Sequence, residues 1–255
     1  MNRPETQNLE AEPAGKGFWA LIVTQFQGAF SDNTLKYLVI FMIIGMNLPQ
    51  GRRQLMMGVI GALFTLPFII FSMAGGYFAD HHSKRNVTVA IKIFEILVMI
   101  FATFALGFNI MNLILTALFL MGVHSAIFGP SKYGLLPELL PERKLSWGNG
   151  VLEFGTFVAI ILGTLAGGLL CKCFAGRQQW SGVILIGLAV IGFFTSLGIP
   201  HVPPAGSVKK FEKFFIIELW EQIKDIRKDR ILWLATIGYI YFWFIGVVLQ
   251  QNVFS

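Results

Sequence analysis

Cysteine, histidine and charge are all scarce in this chain of 255 residues. Two cysteines, Cys171 and Cys173, cannot build a disulfide framework, and their Cys-x-Cys spacing at a helix end reads as small apolar filling. The four histidines, His81, His82, His124 and His201, show no metal-ligand spacing, so neither a metal nor a cofactor is expected. There is no Gly-x4-Gly-Lys-Ser/Thr phosphate loop and no His-x4-Asp acyltransferase pair. These absences remove nucleotide hydrolysis and acyl transfer from what the chain is expected to do, and no catalytic residue is named. Charged residues make up 13%, whereas hydrophobic residues make up 55% and include 25 Phe, more apolar surface than a soluble core of this length needs. The net charge of +6 does not point to nucleic acid, because its placement follows the joints between apolar segments.

Seven such segments run over roughly 18–46, 55–79, 87–107, 110–129, 147–172, 181–199 and 231–250. Each is close to the ~20 residues a spanning helix requires, so the fold class is an all-α membrane protein. The expected organisation is a polar cytoplasmic tail over 1–17, with no apolar core of the signal-peptide kind, and a six-helix bundle over 18–199. A cytoplasmic linker over 200–230 and the first helix of an incomplete second bundle over 231–255 follow. Within the linker, residues 208–229 place Phe211, Phe215, Leu219, Ile223 and Ile226 on one stripe with lysines and arginines crowding the rest, an amphipathic helix suited to the membrane surface. The joints on the amino-terminal side hold fourteen Lys and Arg: Arg3, Lys16, Lys84, Arg85, Lys132, Arg143, Lys144 and seven between Lys209 and Arg230. The opposite joints hold four, Arg52, Arg53, Lys172 and Arg177, which predicts a cytoplasmic amino terminus.

The first segment carries the residues that fit membrane burial least. Gln25, Gly28, Asp32 and Lys36 recur at helical spacing and predict one polar face, with Phe26, Phe30 and Val39 elsewhere. A charge at bilayer depth costs at least about 2.5–3.5 kcal/mol, so such a face is expected to line an interior space, the alternative being an Asp32–Lys36 pair at i, i+4 that only locks packing. The third segment opens with Lys92 and Glu95 at i, i+3, expected as a self-satisfied pair near the headgroups. His124, in the fourth, reads as a hydrogen-bonded packing residue.

Two joints are also informative. Gly75-Gly76-Tyr77-Phe78-Ala79-Asp80-His81-His82-Ser83-Lys84-Arg85 predicts a close helix approach at the glycines and a tight turn. In it Asp80 caps a neighbouring helix while Lys84 and Arg85 face the cytosol. It resembles the Gly-x-x-x-Asp-x-x-x-Arg/Lys-Arg/Lys loop of the major facilitator superfamily, matching at Gly76, Asp80, Lys84 and Arg85 and departing at His81 and Ser83. In that family the loop serves gating. The joint from Phe128 to Pro141 holds Pro130, Pro137 and Pro141 with Gly129 and Gly134, which is expected to prevent one straight helix through it. It would hold Lys132 and Tyr133 in place, the ammonium being a candidate phosphate ligand. Glu153 then lies about a turn into the fifth segment, and Gly163 and Gly167 form a small-xxx-small pair for close packing or sliding.

Three stretches together resemble the bacterial lysophospholipid transporter family: Gln25-Phe26-Gln27-Gly28-Ala29-Phe30-Ser31-Asp32-Asn33, Gly129-Pro130-Ser131-Lys132-Tyr133-Gly134-Leu135-Leu136-Pro137-Glu138-Leu139, and Asn149-Gly150-x-x-Glu153. The resemblance covers about residues 18–250. It implies a major facilitator amino-terminal six-helix bundle plus a seventh helix of a truncated second set. It further implies flipping of lysophosphatidylethanolamine or lysophosphatidylglycerol across the bacterial inner membrane, for reacylation by an acyltransferase/acyl–acyl-carrier-protein synthetase in cis or in trans. Lys132 would then pair with phosphate, Asp32 or Glu153 would meet the ammonium or a glycerol hydroxyl, and Asn33, Gln25 and Tyr133 would complete the site. Two rivals stay open: a proton-coupled exporter of drugs or metabolites using Asp32 or Glu153, and the membrane anchor of a lipid acyltransferase.

Overall fold

The computed structural model describes residues 15–203 and 215–254, which fall in two compact units, 1–207 and 208–255. Unit one is built from α1 (Lys16–Ile44), α2 (Gln50–His81), α3 (Lys84–Phe108), α4 (Met111–Leu139), α5 (Leu145–Cys173) and α6 (Gln179–Leu197). One 3-10 turn at Glu142–Lys144 precedes α5, and the described residues contain no strand. Most helices overrun their apolar segments, because hydrogen bonding continues into the polar flanks where hydropathy has already fallen. Helices α2 to α6 are each long and apolar enough to cross a membrane, and the chain is a multi-pass membrane protein. α1 matches them in length at 29 residues and differs only through the polar side chains in its middle.

α1 is the helix the others gather around, packing against α5, α6, α4 and α2. The expected single polar face is therefore a partial picture. Thr24, Gln25, Gln27, Ser31, Asp32, Asn33 and Thr34 are all buried, and they point toward several different neighbours. The closest approach is to α5. A Cβ on Gly163 would fall 2.7 Å from the Phe30 carbonyl oxygen, and one on Gly167 would fall 2.8 Å from both the Thr34 carbonyl oxygen and the Leu38 amide. Backbone meets backbone there, which only glycine permits. α2 and α4 meet in the same way at Gly122, against the Phe64 carbonyl, and at Gly75, against the Ile127 backbone. Gly76 is not part of that approach: a Cβ there would meet nothing within 4 Å.

The fourth-to-fifth joint departs most from its expectation. α4 runs on through Pro130 and Pro137 to Leu139, so the break is confined to the few residues before α5. Each proline removes a single N–H donor, and a buried membrane helix with polar side chains close by can absorb that loss. Lys132 and Tyr133 consequently stand on a helix.

The turn between α2 and α3 also corrects three expectations. Asp80 is exposed and caps nothing, since the amino terminus of α3 has Ser83 at its N-cap position with no side-chain cap. Lys84 is buried and reaches Glu138 on α4 at 3.0 Å, lying across Gly134, where a Cβ would come within 2.9 Å of its Cε. Arg85 donates from Nε to the Ile199 carbonyl oxygen at 3.3 Å and from Nη2 to that of Leu197 at 3.5 Å, at the carboxyl end of α6, where a cation complements the helix dipole. Both basic groups thus tie helix ends together. Glu138 is 42% exposed and screened by water, so Glu138→Gln is expected to cost less than about 1 kcal/mol, read as a small shift in thermal unfolding.

Unit two holds α7 (Phe215–Lys228) and α8 (Arg230–Phe254). Asp229 separates them: its Oδ1 accepts the amides of Ile231 at 2.8 Å and Leu232 at 3.2 Å, capping α8. The Arg227 guanidinium lies 5.4 Å from the centroid of the Trp233 ring. Of the amphipathic stretch expected over 208–229, residues 208–214, Phe211 among them, lie outside the described residues.

Candidate functional site

Asp32 sits in the middle of α1, only 7% exposed. Its Oδ2 accepts a hydrogen bond from the Ser125 hydroxyl of α4, while its Oδ1 is buried with no hydrogen-bond partner. Lys36 does not satisfy this carboxylate through an ion pair, although it lies within electrostatic range of it. The Lys36 ammonium lies over the rings of Tyr37 and Phe64, 4.9 and 5.1 Å from their centroids, and makes no ion pair with Asp32. About two turns further along α4 than Ser125, Lys132 is half-buried, its ammonium 4.9 Å from the centroid of the Tyr133 ring and within electrostatic range of both Glu153 and Asp32. The Tyr133 hydroxyl donates to Glu153 Oε1 across the α4–α5 gap at 2.5 Å. Asp32, Lys132, Tyr133 and Glu153 therefore share one region between α1, α4 and α5.

Gln25 and Asn33 take a different position. Gln25 donates to the Thr156 hydroxyl at 3.1 Å, one turn of α5 beyond Glu153. Asn33 donates to the Ala29 carbonyl of its own helix at 2.8 Å and packs its Cβ against Gly163. These two line the α1–α5 seam that Gly163 and Gly167 create.

On the opposite side of α1 lies a second cluster, sealed from solvent. Lys92 and Glu95 of α3 are 0% exposed and pair at 2.7 Å. This corrects the expectation of a pair near the headgroups: α3 begins at Lys84, which puts Lys92 about 12 Å along the helix. Gln27 completes the pair from α1, accepting from the Lys92 ammonium at 2.8 Å and donating to Glu95 Oε1 at 2.9 Å and to the Ser31 hydroxyl at 2.9 Å. The room for Gln27 exists because residue 192 of α6 is glycine, where a Cβ would collide with Gln27 Oε1. Gly28 likewise admits the Lys92 ammonium, at 3.0 Å from where a Cβ would stand. His124 joins the two clusters. Its Nε2 is 3.3 Å from Glu95 Oε2 without hydrogen-bond geometry, and its Nδ1 is 3.3 Å from the Ser125 hydroxyl that serves Asp32. Sequence reading left Gln27, Ser125 and this junction unassigned. A signal was there, because Lys92 and Glu95 fall on the buried 88-91-92-95-98-99-102 progression of α3.

A helical membrane domain with clusters of buried polar and charged groups on either side of one central helix is the class defined here. The model of the Major Facilitator Superfamily matches residues 20–255, and the chain belongs to that family. Among curated proteins, it is 28% identical over 249 residues to the protein named lysophospholipid transporter LplT of Klebsiella pneumoniae subsp. pneumoniae, covering 96% of this chain and 59% of the relative. The protein of the same name from Cronobacter sakazakii is 25% identical over 258 residues, covering 97% and 59%. The chain thus spans 59% of the length of these relatives. Among solved structures, a POT family transporter in complex with 5-aminolevulinic acid superposes with a TM-score of 0.57 at 19% identity, over 88% of this chain and 47% of that one. The POT family transporter PepTSo gives 0.60 at 17% identity, over 78% and 40%, a likeness of fold alone.

Proposed function

We propose that this chain supplies the amino-terminal half of a transporter that moves lysophospholipids across the bacterial inner membrane to the cytoplasmic side for reacylation. The observation that carries the reading is the buried, unpartnered Oδ1 of Asp32, held in the same region as the Lys132 ammonium. Together they present an acceptor and a cation, the complement of an ammonium or hydroxyl headgroup linked to a phosphate. Glu153 and Tyr133 border the headgroup, with Gln25 and Asn33 on the α5 side. The names of the matched relatives support lysophospholipid as the substrate class, and lysophosphatidylethanolamine and lysophosphatidylglycerol are the two headgroups proposed. The distribution of Lys and Arg supports a cytoplasmic amino terminus. The six-helix bundle over 18–199 would work against a second bundle, entered after the linker over 200–230, since alternating access needs two halves that rock around a shared site. The turn around Gly76, Asp80, Lys84 and Arg85 would set the stiffness of one end, and Gly163 and Gly167 would let α1 and α5 shift past one another. A lipid acyltransferase/acyl–acyl-carrier-protein synthetase, in cis or in trans, would consume the product.

The test is uptake of labelled lysophosphatidylethanolamine by proteoliposomes holding the intact gene product. Asp32→Ala is expected to reduce uptake at least about tenfold, the effect of losing a hydrogen bond to a charged group. Uptake equal to wild type would remove Asp32 from the site.

A further inference from the structure

Two cations and two carboxylates stand around the middle of α1 without forming a single ion pair. Asp32 is within electrostatic range of Lys36 and Lys132, and Lys132 of Glu153. Yet the ion pairs among the described residues are made elsewhere, by Lys84 with Glu138, by Lys92 and His124 with Glu95, and by Lys228 with Asp225. The two carboxylates each accept a hydroxyl, from Ser125 and from Tyr133. The two ammonium groups rest on ring faces instead, Lys36 on Tyr37 and Phe64 and Lys132 on Tyr133. A ring face attracts a cation but accepts none of its three N–H donors in the way an oxygen does. Both lysines are half-buried, and neither Nζ is sealed from solvent as Asp32 Oδ1 is.

The two lysines lie on opposite sides of Asp32 along the bundle. The start of α1 meets the end of α4: a Cβ on Gly17 would stand 3.3 Å from Leu139 Cδ2, and Phe18 shares a core cluster with Leu135, Leu136 and Leu140. The helices are therefore antiparallel, with Asp32 level with Ser125. Lys36 comes one turn, about 6 Å, after Asp32 on α1. Its ring partner Phe64 has its carbonyl against Gly122, which precedes Ser125 on α4. Lys132 comes about 10 Å after Ser125, in the other direction. In the orientation proposed above, Lys36 is on the outer side of Asp32 and Lys132 on the inner side.

We infer that Lys36 is a second phosphate contact, so that one headgroup anchored at Asp32 holds its phosphate at Lys36 in an outer register and at Lys132 in an inner one. This rests on the lysophospholipid reading of the site. Ethanolamine puts two carbons between its nitrogen and the phosphate ester oxygen, a span comparable to the one helical turn between Asp32 and Lys36. Because the lysines lie on opposite sides of Asp32, a single phosphate meets one of them at a time. Passage from the outer to the inner register exchanges one charge-assisted contact for another, and the phosphate is not left at bilayer depth without a cation. The inner register is the better furnished, with Tyr133 and Glu153 beside Lys132, and holds most of the bound lipid at equilibrium. Lys36 then has a definite signature: its contact becomes decisive when Lys132 is gone.

The experiment is equilibrium binding of lysophosphatidylethanolamine, and of a monoacylglycerol with the same chain, to the intact protein and to Lys36→Met, Lys132→Ala and the double variant. Lys36→Met alone is expected to change affinity for lysophosphatidylethanolamine by less than about twofold. In the Lys132→Ala background the same substitution is expected to weaken it at least about tenfold further, the effect of losing a hydrogen bond to a charged group, and Lys36→Arg is expected to retain most of that residual binding. Monoacylglycerol, which has no phosphate, should bind all the proteins alike. Equal affinities of Lys132→Ala and the double variant would overturn the second contact, and so would a loss of the same size in both backgrounds or one shared by monoacylglycerol, which marks a packing role. Displacement of the lipid from Lys132→Ala by an equal concentration of inorganic phosphate would make Lys36 a free-anion site and overturn the headgroup assignment. Wild-type protein that binds lysophosphatidylethanolamine no tighter than monoacylglycerol would remove the substrate reading itself, and the Lys36 contact with it. Lys36→Gln stands in for Lys36→Met if the methionine variant does not fold.

Discussion

Replacing Lys92 with methionine is expected to destabilise the bundle by about 3–5 kcal/mol, the range seen when one partner of a buried ion pair is removed. Glu95 would be left ionised and 0% exposed, with Gln27 as its remaining donor and its charge no longer balanced at 2.7 Å. The loss comes from the orphaned carboxylate. The double variant Lys92→Met/Glu95→Gln is therefore expected to recover most of it, since a neutral amide beside Gln27 carries no uncompensated charge. Unfolding of the four proteins in detergent gives the coupling directly. A single variant as stable as wild type would mean that the pair contributes only specificity.

The second large effect is expected at Gly167. Its position faces backbone atoms of α1, the Thr34 carbonyl oxygen and the Leu38 amide, both 2.8 Å from where a Cβ would lie. Neither can move aside as a side chain could. Gly167→Leu should force α5 away from α1 and cost at or above the upper end of the ~1–3 kcal/mol usual for overpacking. Gly155, on the same helix, supplies the control: a Cβ there meets nothing within 4 Å, so Gly155→Ala should leave stability unchanged or raise it by up to about 1 kcal/mol. Thermal unfolding of both variants checks the contrast. Equal effects would show that the α1–α5 contact is not close-packed.

Why some of this was legible beforehand and some was not follows from what each signal measures. A carboxylate inside an apolar run is expensive wherever the helix lies, so Asp32 announced an interior position without any structure. The glycine pair at 163 and 167 was equally plain, because small residues four apart have few other uses in a membrane helix. Lys92 and Glu95 were placed too near the surface because α3 starts at Lys84, before the apolar run does, which hides nearly a turn of polar helix. The prolines at 130 and 137 misled for a related reason. Propensity counts the lost N–H but not the surrounding helices that make α4 hold its course. Gln27 could not have been singled out, since its partners come from α3 and its space from Gly192 of α6, relations that only tertiary packing reveals. For the same reason Lys84 looked like a solvated turn residue until Glu138 stood opposite it.

The central claim is that Lys132 and Asp32 together hold a phosphate-linked headgroup. Equilibrium binding of lysophosphatidylethanolamine to the purified intact protein tests it most directly, comparing wild type with Lys132→Ala. Loss of a charge-assisted hydrogen bond to phosphate is expected to weaken binding roughly ten- to hundredfold, with Lys132→Arg retaining part of the affinity. Binding by Lys132→Ala as tight as by wild type would contradict the claim.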